Sequence, residues 1–315
     1  MAWRSVVITR PARLKLAQKA LAVEQDDGDV RIPLEDISIL VIDQPQVSLT
    51  AQLLSACAAQ QIAVITVDET HTPNGVLLPH LPHSRALKVM RAQLEMSQPL
   101  KKQLWRGIVR RKLLNQADVL HEQGHEAASR RLRQLASEVR SGDAGHAESQ
   151  GAQVYFRHLF GVGFSRAQER FHNAALNYGY SVIRSLLARN LVAYGFLTAF
   201  GLHHHSEQNA FNLADDLIEP FRPILDAHVL AHDQPDMEER ELTREDKAYL
   251  VGILHEDVIT HDNDGTTGKS TLLAAAEATV ISLTQRLDDR LTHLSLPGLN
   301  RSLNRSTSSD PIDDE

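Results

Sequence analysis

The hydrophobic pattern changes period near residue 80. Before that point the apolar residues come in short blocks. WRSVVIT is one such block, and LKLA, ALAVEQ and VRIPL alternate at period two around a turn-like QDDGD. ISILVID and IAVITVD are continuous apolar runs of strand length, which predicts strands buried on both faces. SLTAQLLSACAAQQ has helical spacing, with Ser48 or Thr50 as its N-cap. NGVLLP closes the set with a turn signal. These elements predict six or seven strands and one helix, a small β-sandwich-like domain over residues 1–79.

From residue 80 to 296 apolar positions recur every three to four residues, as an amphipathic helix requires. HSRALKVMRAQLEMS reads as a helix closed by Pro99, followed by LKKQLWRGIVRRKLLNQADVL and EAASRRLRQLASEVR. SGDAGH breaks the pattern and AESQGAQVYFRHLFG resumes it, with Glu148 in the first turn. A carboxylate there is favoured by the helix dipole, so capping alone accounts for Glu148 at this level. GVGFSRAQERFHN reads as a loop, and NAALNYGYSVIRSLLARNLVAYGF as a long apolar helix, the spine of the domain. TREDKAYLVGIL and KSTLLAAAEATVISLTQRLDDRLTH are two more helices. DGTTGKST is too short between its glycines for a phosphate loop and reads as a turn with Ser270 capping the next helix. The polar segment 297–315 is expected to be a disordered tail. The fold class expected is α+β: the small N-terminal β domain, then a larger all-α domain.

Composition narrows the setting. No apolar run approaches the roughly 18 residues of a membrane span, and MAWRSVVITR lacks a signal peptide's pattern. The single cysteine, Cys57, falls in an apolar helical run and is expected in the core, which fits a reducing cytoplasm. His71 sits among polar residues with no cysteine nearby and reads as loop, not as a zinc site. The net charge of −7 is unevenly spread: residues 80–140 carry +8 and residues 226–315 carry −11. A basic block inside an acidic chain is either a solvated helix face or a footprint for a polyanion. Lys102, Arg106 and Arg110 recur at i,i+4 on one face of their helix, with apolar residues on the others.

The densest candidate chemistry lies in GLHHHSEQNAFNLADDLIEPFRPILD, residues 201–226. Three histidines precede Asp215, Asp216 and Glu219, and on a helix either aspartate could share a face with Glu219. An imidazole near carboxylates is a mixed ligand set suited to a divalent ion with open positions. A solvated histidine loop before a polar helix has the same local pattern, so spacing leaves both readings open.

Taken together, IPLEDISILVID, TPNGVLLP, LWRGIVRRKLLNQA, SGDAGHAESQGAQVYF, NAALNYGYSVIRSLLARNLVAYG and GLHHHSEQNAFNLADDLIEPFRP resemble the CRISPR-associated endonuclease and integrase of spacer acquisition. The likeness runs from residue 3 to about 295, and is to the branch that accompanies the single-protein, RNA-guided interference nuclease. It implies a metal-dependent nuclease and integrase that joins the 3′-OH ends of captured DNA to a CRISPR repeat. It implies Mg2+ or Mn2+ held by Glu148, His204 and Glu219, the catalytic set, with Asp216 as a further candidate ligand. His204 is chosen among the three histidines because it is fourth in GLHH. SGDAGHAES and PHLPHSR depart from the family's usual wording without altering a ligand position.

The resemblance also implies a homodimer through the β domain and a four-to-two complex with a small dimeric CRISPR-associated partner, with the interference nuclease as a further partner. The basic block then becomes a DNA surface, and Arg85, Lys102, Arg106, Arg110 and Arg111 are the candidate phosphate contacts. The acidic final ninety residues are expected to face protein or solvent. Two other readings compete: a non-catalytic DNA-binding subunit of the same complex, and a metal hydrolase acting on small molecules.

Overall fold

Every residue of the strand Ile37–Ile42 is buried, which requires cover on both faces. The computed structural model describes residues 4–26, 28–69, 73–80, 84–161, 171–232, 240–261, 267–288 and 293–300. The expected loop at His71, most of the loop in GVGFSRAQERFHN and the tail beyond residue 300 lie outside the described residues.

The N-terminal strands are β1 (Arg4–Ile8), β2 (Ala12–Ala17), β3 (Ala20–Gln25), β4 (Gly28–Pro33), β5 (Ile37–Ile42), β6 (Val47–Leu49), β7 (Ala63–Val67) and β8 (Pro73–Leu77), with helix α1 (Ala51–Ala59) before β7. They form two four-stranded sheets, ordered β1-β5-β7-β8 and β4-β3-β2-β6. The strand count exceeds the expectation because Val47–Leu49 pairs in parallel with β2 instead of opening the helix. Thr50 is the cap, its side chain accepting from Leu53 N.

Alternation across β5 and β7 explains the two covers. Leu40, Ile42 and Val64 join one apolar cluster with Leu14, Leu21, Leu53 and Cys57. Ile39, Val41, Ala63 and Ile65 join a second cluster made with the helices. Each such side chain contributes about 1.5–3 kcal/mol by leaving water. Burial also pushes the Cys57 thiol up to about 11, so it packs as an apolar side chain.

The helical part runs α2 (Ala86–Leu94), α3 (Gln98–Glu122), α4 (Glu126–Glu138), α5 (Ala147–Leu159), α6 (Phe171–Ala193), α7 (Asn212–Leu217), α8 (Arg222–Ala231), α9 (Arg244–Gly252) and α10 (Leu272–Leu287). α6 is the spine, touching β7, β8, α7, α8, α9 and α10. Pro99 opens α3 instead of closing α2: Ser97 caps α3 and the proline sits in its first turn, where no amide hydrogen is needed.

This part is not all helix. β9 (Asp257–His261), β10 (Thr267–Thr271) and β11 (Pro297–Gly298) form a three-stranded antiparallel sheet ordered β10-β9-β11. Lys269–Thr271, read as helix, are therefore strand, and Thr271 caps α10 in place of Ser270. Residues 297–300, placed in the tail by their polarity, are buried, and Pro297 O accepts from Asn115 Nδ2 on α3 (3.0 Å).

Two polar contacts tie the β sheet to the helices. Lys247 Nζ on α9 meets Asp43 Oδ2 just after β5 (2.9 Å), with side chains 6% and 1% exposed. Arg189 Nε on α6 donates to Gln61 O (2.5 Å). Removing one partner of a buried ion pair strands the other charge. Lys247→Met is expected to lose about 3 kcal/mol in urea unfolding, mostly recovered in Asp43→Asn/Lys247→Met. A loss near zero would mean that the pair does not fasten the two parts.

Candidate metal centre

One face of α3 gathers the site. Trp105 and Lys112 are two turns apart on the same side of this helix, amid Leu104, Ile108, Val109 and Leu113, all buried. Lys112 Nζ donates to Glu148 Oε1 (2.5 Å) and stands 2.5 Å from Glu219 Oε2, with its side chain only 9% exposed. The two carboxylate oxygens are thus no further apart than twice that distance.

Glu148 reaches this place because another residue caps its helix. Asp143, in the short 3-10 turn Ser141–Asp143, accepts from Ala147 N (2.8 Å) and Glu148 N (3.1 Å). The Glu148 carboxylate is left free of the capping role its position suggested. Gly151, one turn further along α5, lets the two helices approach: a Cβ there would sit 2.1 Å from Leu113 Cδ2.

Glu219 does not lie on the helix with Asp216, as the spacing had suggested. α7 ends at Leu217, and Glu219 falls in the turn before α8. Asn115 Nδ2 on α3 fastens that turn by donating to Pro220 O (2.7 Å). Arg222 Nε donates to Glu219 Oε1 (2.9 Å), with its guanidinium over the Tyr180 ring. Burial alone would raise the Glu219 pKa, but the Lys112 and Arg222 charges outweigh it and hold the carboxyl at about 2. Burial likewise works against the charged form of Lys112, and the Glu219 and Glu148 charges more than offset it. Glu219 is therefore held in its charged form between two cations, Lys112 and Arg222.

The histidine loop is built on Asp216, which has no exposed surface. Its carboxylate accepts from the backbone N–H groups of Leu202 (2.5 Å), His203 (3.1 Å) and His204 (3.0 Å), and from His204 Nδ1 (2.8 Å). A carboxylate can only accept, so Nδ1 carries a proton and Nε2 is the nitrogen left to bind a ligand. The bond to Asp216 raises the His204 pKa, against a smaller opposing effect of burial. Gly201 makes the tight loop feasible, since a Cβ there would meet His204 O at 2.3 Å. α3 backs the loop as well: Trp105 stacks flat on His203 (4.3 Å) and meets His204 edge-on (5.7 Å).

The sequence-derived set is thus partly assembled. Glu148 and Glu219 share one cation, Lys112, and His204 packs edge-on against Trp105 of the same helix, near enough to Glu219 to feel its charge. Among the described residues no three His, Cys, Asp or Glu side chains are close enough to grip an ion together. Both Asp216 oxygens are taken up by the loop, which places it behind His204 instead of among the ligands. Asp215 is held away by Arg184, through Nε (2.6 Å) and Nη2 (2.9 Å). The donor set still suits a hard divalent ion: two carboxylates already brought to one positive charge, and an imidazole with its outer nitrogen free.

Of the candidate phosphate contacts, Lys102, Arg106 and Arg110 form an exposed stripe on α3 next to its buried face, with Arg106 Nε donating to Val139 O (2.8 Å). Arg111 is off that stripe and half-buried, its pKa lowered by burial against the pull of Asp118. Arg85 is exposed at the start of α2. Lys112, Arg222, Trp105 and Asp143 were not foreseen. A lysine two turns from a tryptophan on the apolar side of α3 was the available signal, since lysine is almost never buried unpaired.

Residues 6–252 match the family model of the CRISPR associated protein Cas1. The chain belongs to the Cas1 family. It is 47% identical over 255 residues to the CRISPR-associated endonuclease Cas1 of Neisseria meningitidis serogroup C (strain 8013), covering 81% of this chain and 84% of that one. Its fold is similar to a solved Cas1 protein from Thermotoga maritima, with a TM-score of 0.72, 17% identity, and 92% and 99% of the two chains covered. A casposase bound to its integration product is equally similar in fold, with a TM-score of 0.72, 18% identity, and 93% and 92% covered. The α+β architecture is that of Cas1 proteins.

Asp216→Ala would leave several donors in the Cas1 histidine loop without an acceptor. It is expected to cost about 3 kcal/mol or more in chemical unfolding. A variant as stable as the wild type would remove Asp216 as the anchor of the loop.

Proposed function

We propose that this Cas1 chain is a divalent-metal-dependent DNA endonuclease and integrase of CRISPR adaptation, joining the 3′-OH ends of captured DNA to a CRISPR repeat. The observation that carries the reading is the meeting of Glu148 and Glu219, from separate elements, on one cation, Lys112, with His204 within electrostatic reach of Glu219. A site that gathers a buried and a half-buried carboxylate attracts positive charge.

Glu148, Glu219 and His204 Nε2 would hold the ion, Mg2+ or Mn2+. When bound, such an ion lowers the pKa of a hydroxyl, polarises phosphorus and stabilises a leaving oxygen. Asp216 fixes the imidazole so that Nε2 faces outward. Lys112 and, after it, Arg222 favour the ionised form of Glu219. Lys102, Arg106 and Arg110 supply sequence-independent phosphate contacts along α3, and Arg85 and Arg111 contribute less directly. The attacking 3′-OH would form the new phosphodiester bond as the old P–O bond of the repeat strand breaks; its proton passes to water, and the released 3′ oxygen of the repeat strand takes a proton from water to become a 3′-OH. With water in place of the 3′-OH the same site acts as a nuclease.

The working unit is a homodimer joined through the β domain, clamped in a four-to-two complex with a small dimeric CRISPR-associated partner, and served by the RNA-guided interference nuclease. No helix among the described residues is long and apolar enough to cross a membrane. The work is placed in the prokaryotic cytoplasm, where the CRISPR array lies.

A half-site integration assay with the small partner, Mn2+ and a repeat-bearing plasmid tests this. Wild type is expected to join fragments, and His204→Ala to lose at least about a hundredfold in rate. Wild-type DNA binding without any joining would favour the non-catalytic subunit instead.

A further inference from the structure

Lys112 lies on the apolar face of α3, where an ammonium group is costly unless it is paired. It contacts two carboxylates, Glu148 on α5 and Glu219 in the turn after α7, and each lies 2.5 Å from Nζ. Glu219 has a second cation in Arg222, whereas Lys112 is the cationic side chain that meets Glu148. The ammonium thus stands in the gap between the two carboxylates, within about the 2.0–2.6 Å at which a hard divalent ion sits from carboxylate oxygens. Ammonium and divalent ion cannot share that gap, because like charges at such separations repel strongly in a buried site.

We propose that Lys112 is a positioning residue that acts as a displaceable built-in cation: it holds Glu148 and Glu219 together, and a divalent ion must expel its ammonium in order to bind. This rests on the reading of Glu148 and Glu219 as metal ligands. Lys112 has two consequences. It keeps the buried Glu219 and the half-buried Glu148 from repelling one another, so the site is assembled before the ion arrives. It also sets a threshold, since the ion must compete with a tethered cation whose effective concentration is high. The long, flexible stem of lysine suits a group that has to leave, in a way that the planar fork of Arg222 does not.

The test measures free Mn2+ by electron paramagnetic resonance during titration of the full chain, together with thermal unfolding in EDTA and in Mn2+. Three chains are compared: wild type, His204→Ala and Lys112→Met. Lys112→Met is expected to bind Mn2+ at least about tenfold more tightly than wild type, since a competing charge is gone. It is also expected to melt several degrees below wild type in EDTA and to regain most of that loss in Mn2+. Lys112→Gln carries the same expectations and serves if the methionine variant does not fold. Mn2+ affinity unchanged from wild type, with the same melting loss in EDTA and in Mn2+, would overturn the inference and leave Lys112 as a fixed structural ion pair. If wild type binds Mn2+ and His204→Ala weakens it, the metal-site reading stands whatever Lys112 does. If neither wild type nor either Lys112 variant binds Mn2+, that reading falls and this inference with it.

Discussion

Two carboxylates held close together, one buried and one half-buried, repel one another, and this repulsion is the constraint that organises the Cas1 chain around α3. Lys112 between Glu148 and Glu219, and Arg222 on the far side of Glu219, provide the opposing charge. The surrounding arrangement serves to deliver those groups. Asp143 takes over the capping of α5 so that Glu148 can turn inward. Asn115 fastens the turn that carries Glu219. Gly151 lets α5 close on α3. Each is a local device that acts over a few ångströms, and together they bring distant stretches of the chain to one point.

The histidine loop is a second assembly laid against the same helix. Asp216 has no exposure and binds three consecutive backbone amides as well as the imidazole, so it shapes the loop and aims His204 at once. The flat stack of His203 on Trp105 then holds the loop to α3. The β domain contributes at a distance. One face of β5 and β7 forms part of the helical core, and the Lys247–Asp43 pair ties α9 to the end of β5. The outer stripe of α3, with Lys102, Arg106 and Arg110, runs beside the buried face that carries Lys112, so the basic stripe and the charged cluster share one helix.

Much of the fold was legible wherever a residue's neighbours in sequence determine its surroundings. ISILVI is apolar at every position but Ser38 and is buried at every position. Cys57 lies in the core as its apolar run implied. The hairpin at 257–271 was not legible: its strands are short, and TGKST runs straight into a strong helical pattern. The site was legible only in part. Glu148, His204 and Glu219 came from the resemblance of whole motifs, while spacing alone allowed a cap, a solvated loop and a polar helix. Lys112 was hidden in RRKLL, where it read as one more positive charge in a basic block. Its burial depends on carboxylates contributed by α5 and by the turn after α7, and no local pattern carries that information. The role of Asp216 as the acceptor that shapes the histidine loop was hidden for the same reason, since its four donors come from a loop that folds back on it.

We propose that Glu148, Glu219 and His204 converge on one divalent ion. Anomalous scattering from crystals grown with Mn2+ tests it most directly. The account predicts one strong peak about 2.0–2.6 Å from a carboxylate oxygen of Glu148, a carboxylate oxygen of Glu219 and Nε2 of His204. A peak ligated elsewhere in the chain, or none at these residues with Mn2+ in large excess, would contradict it.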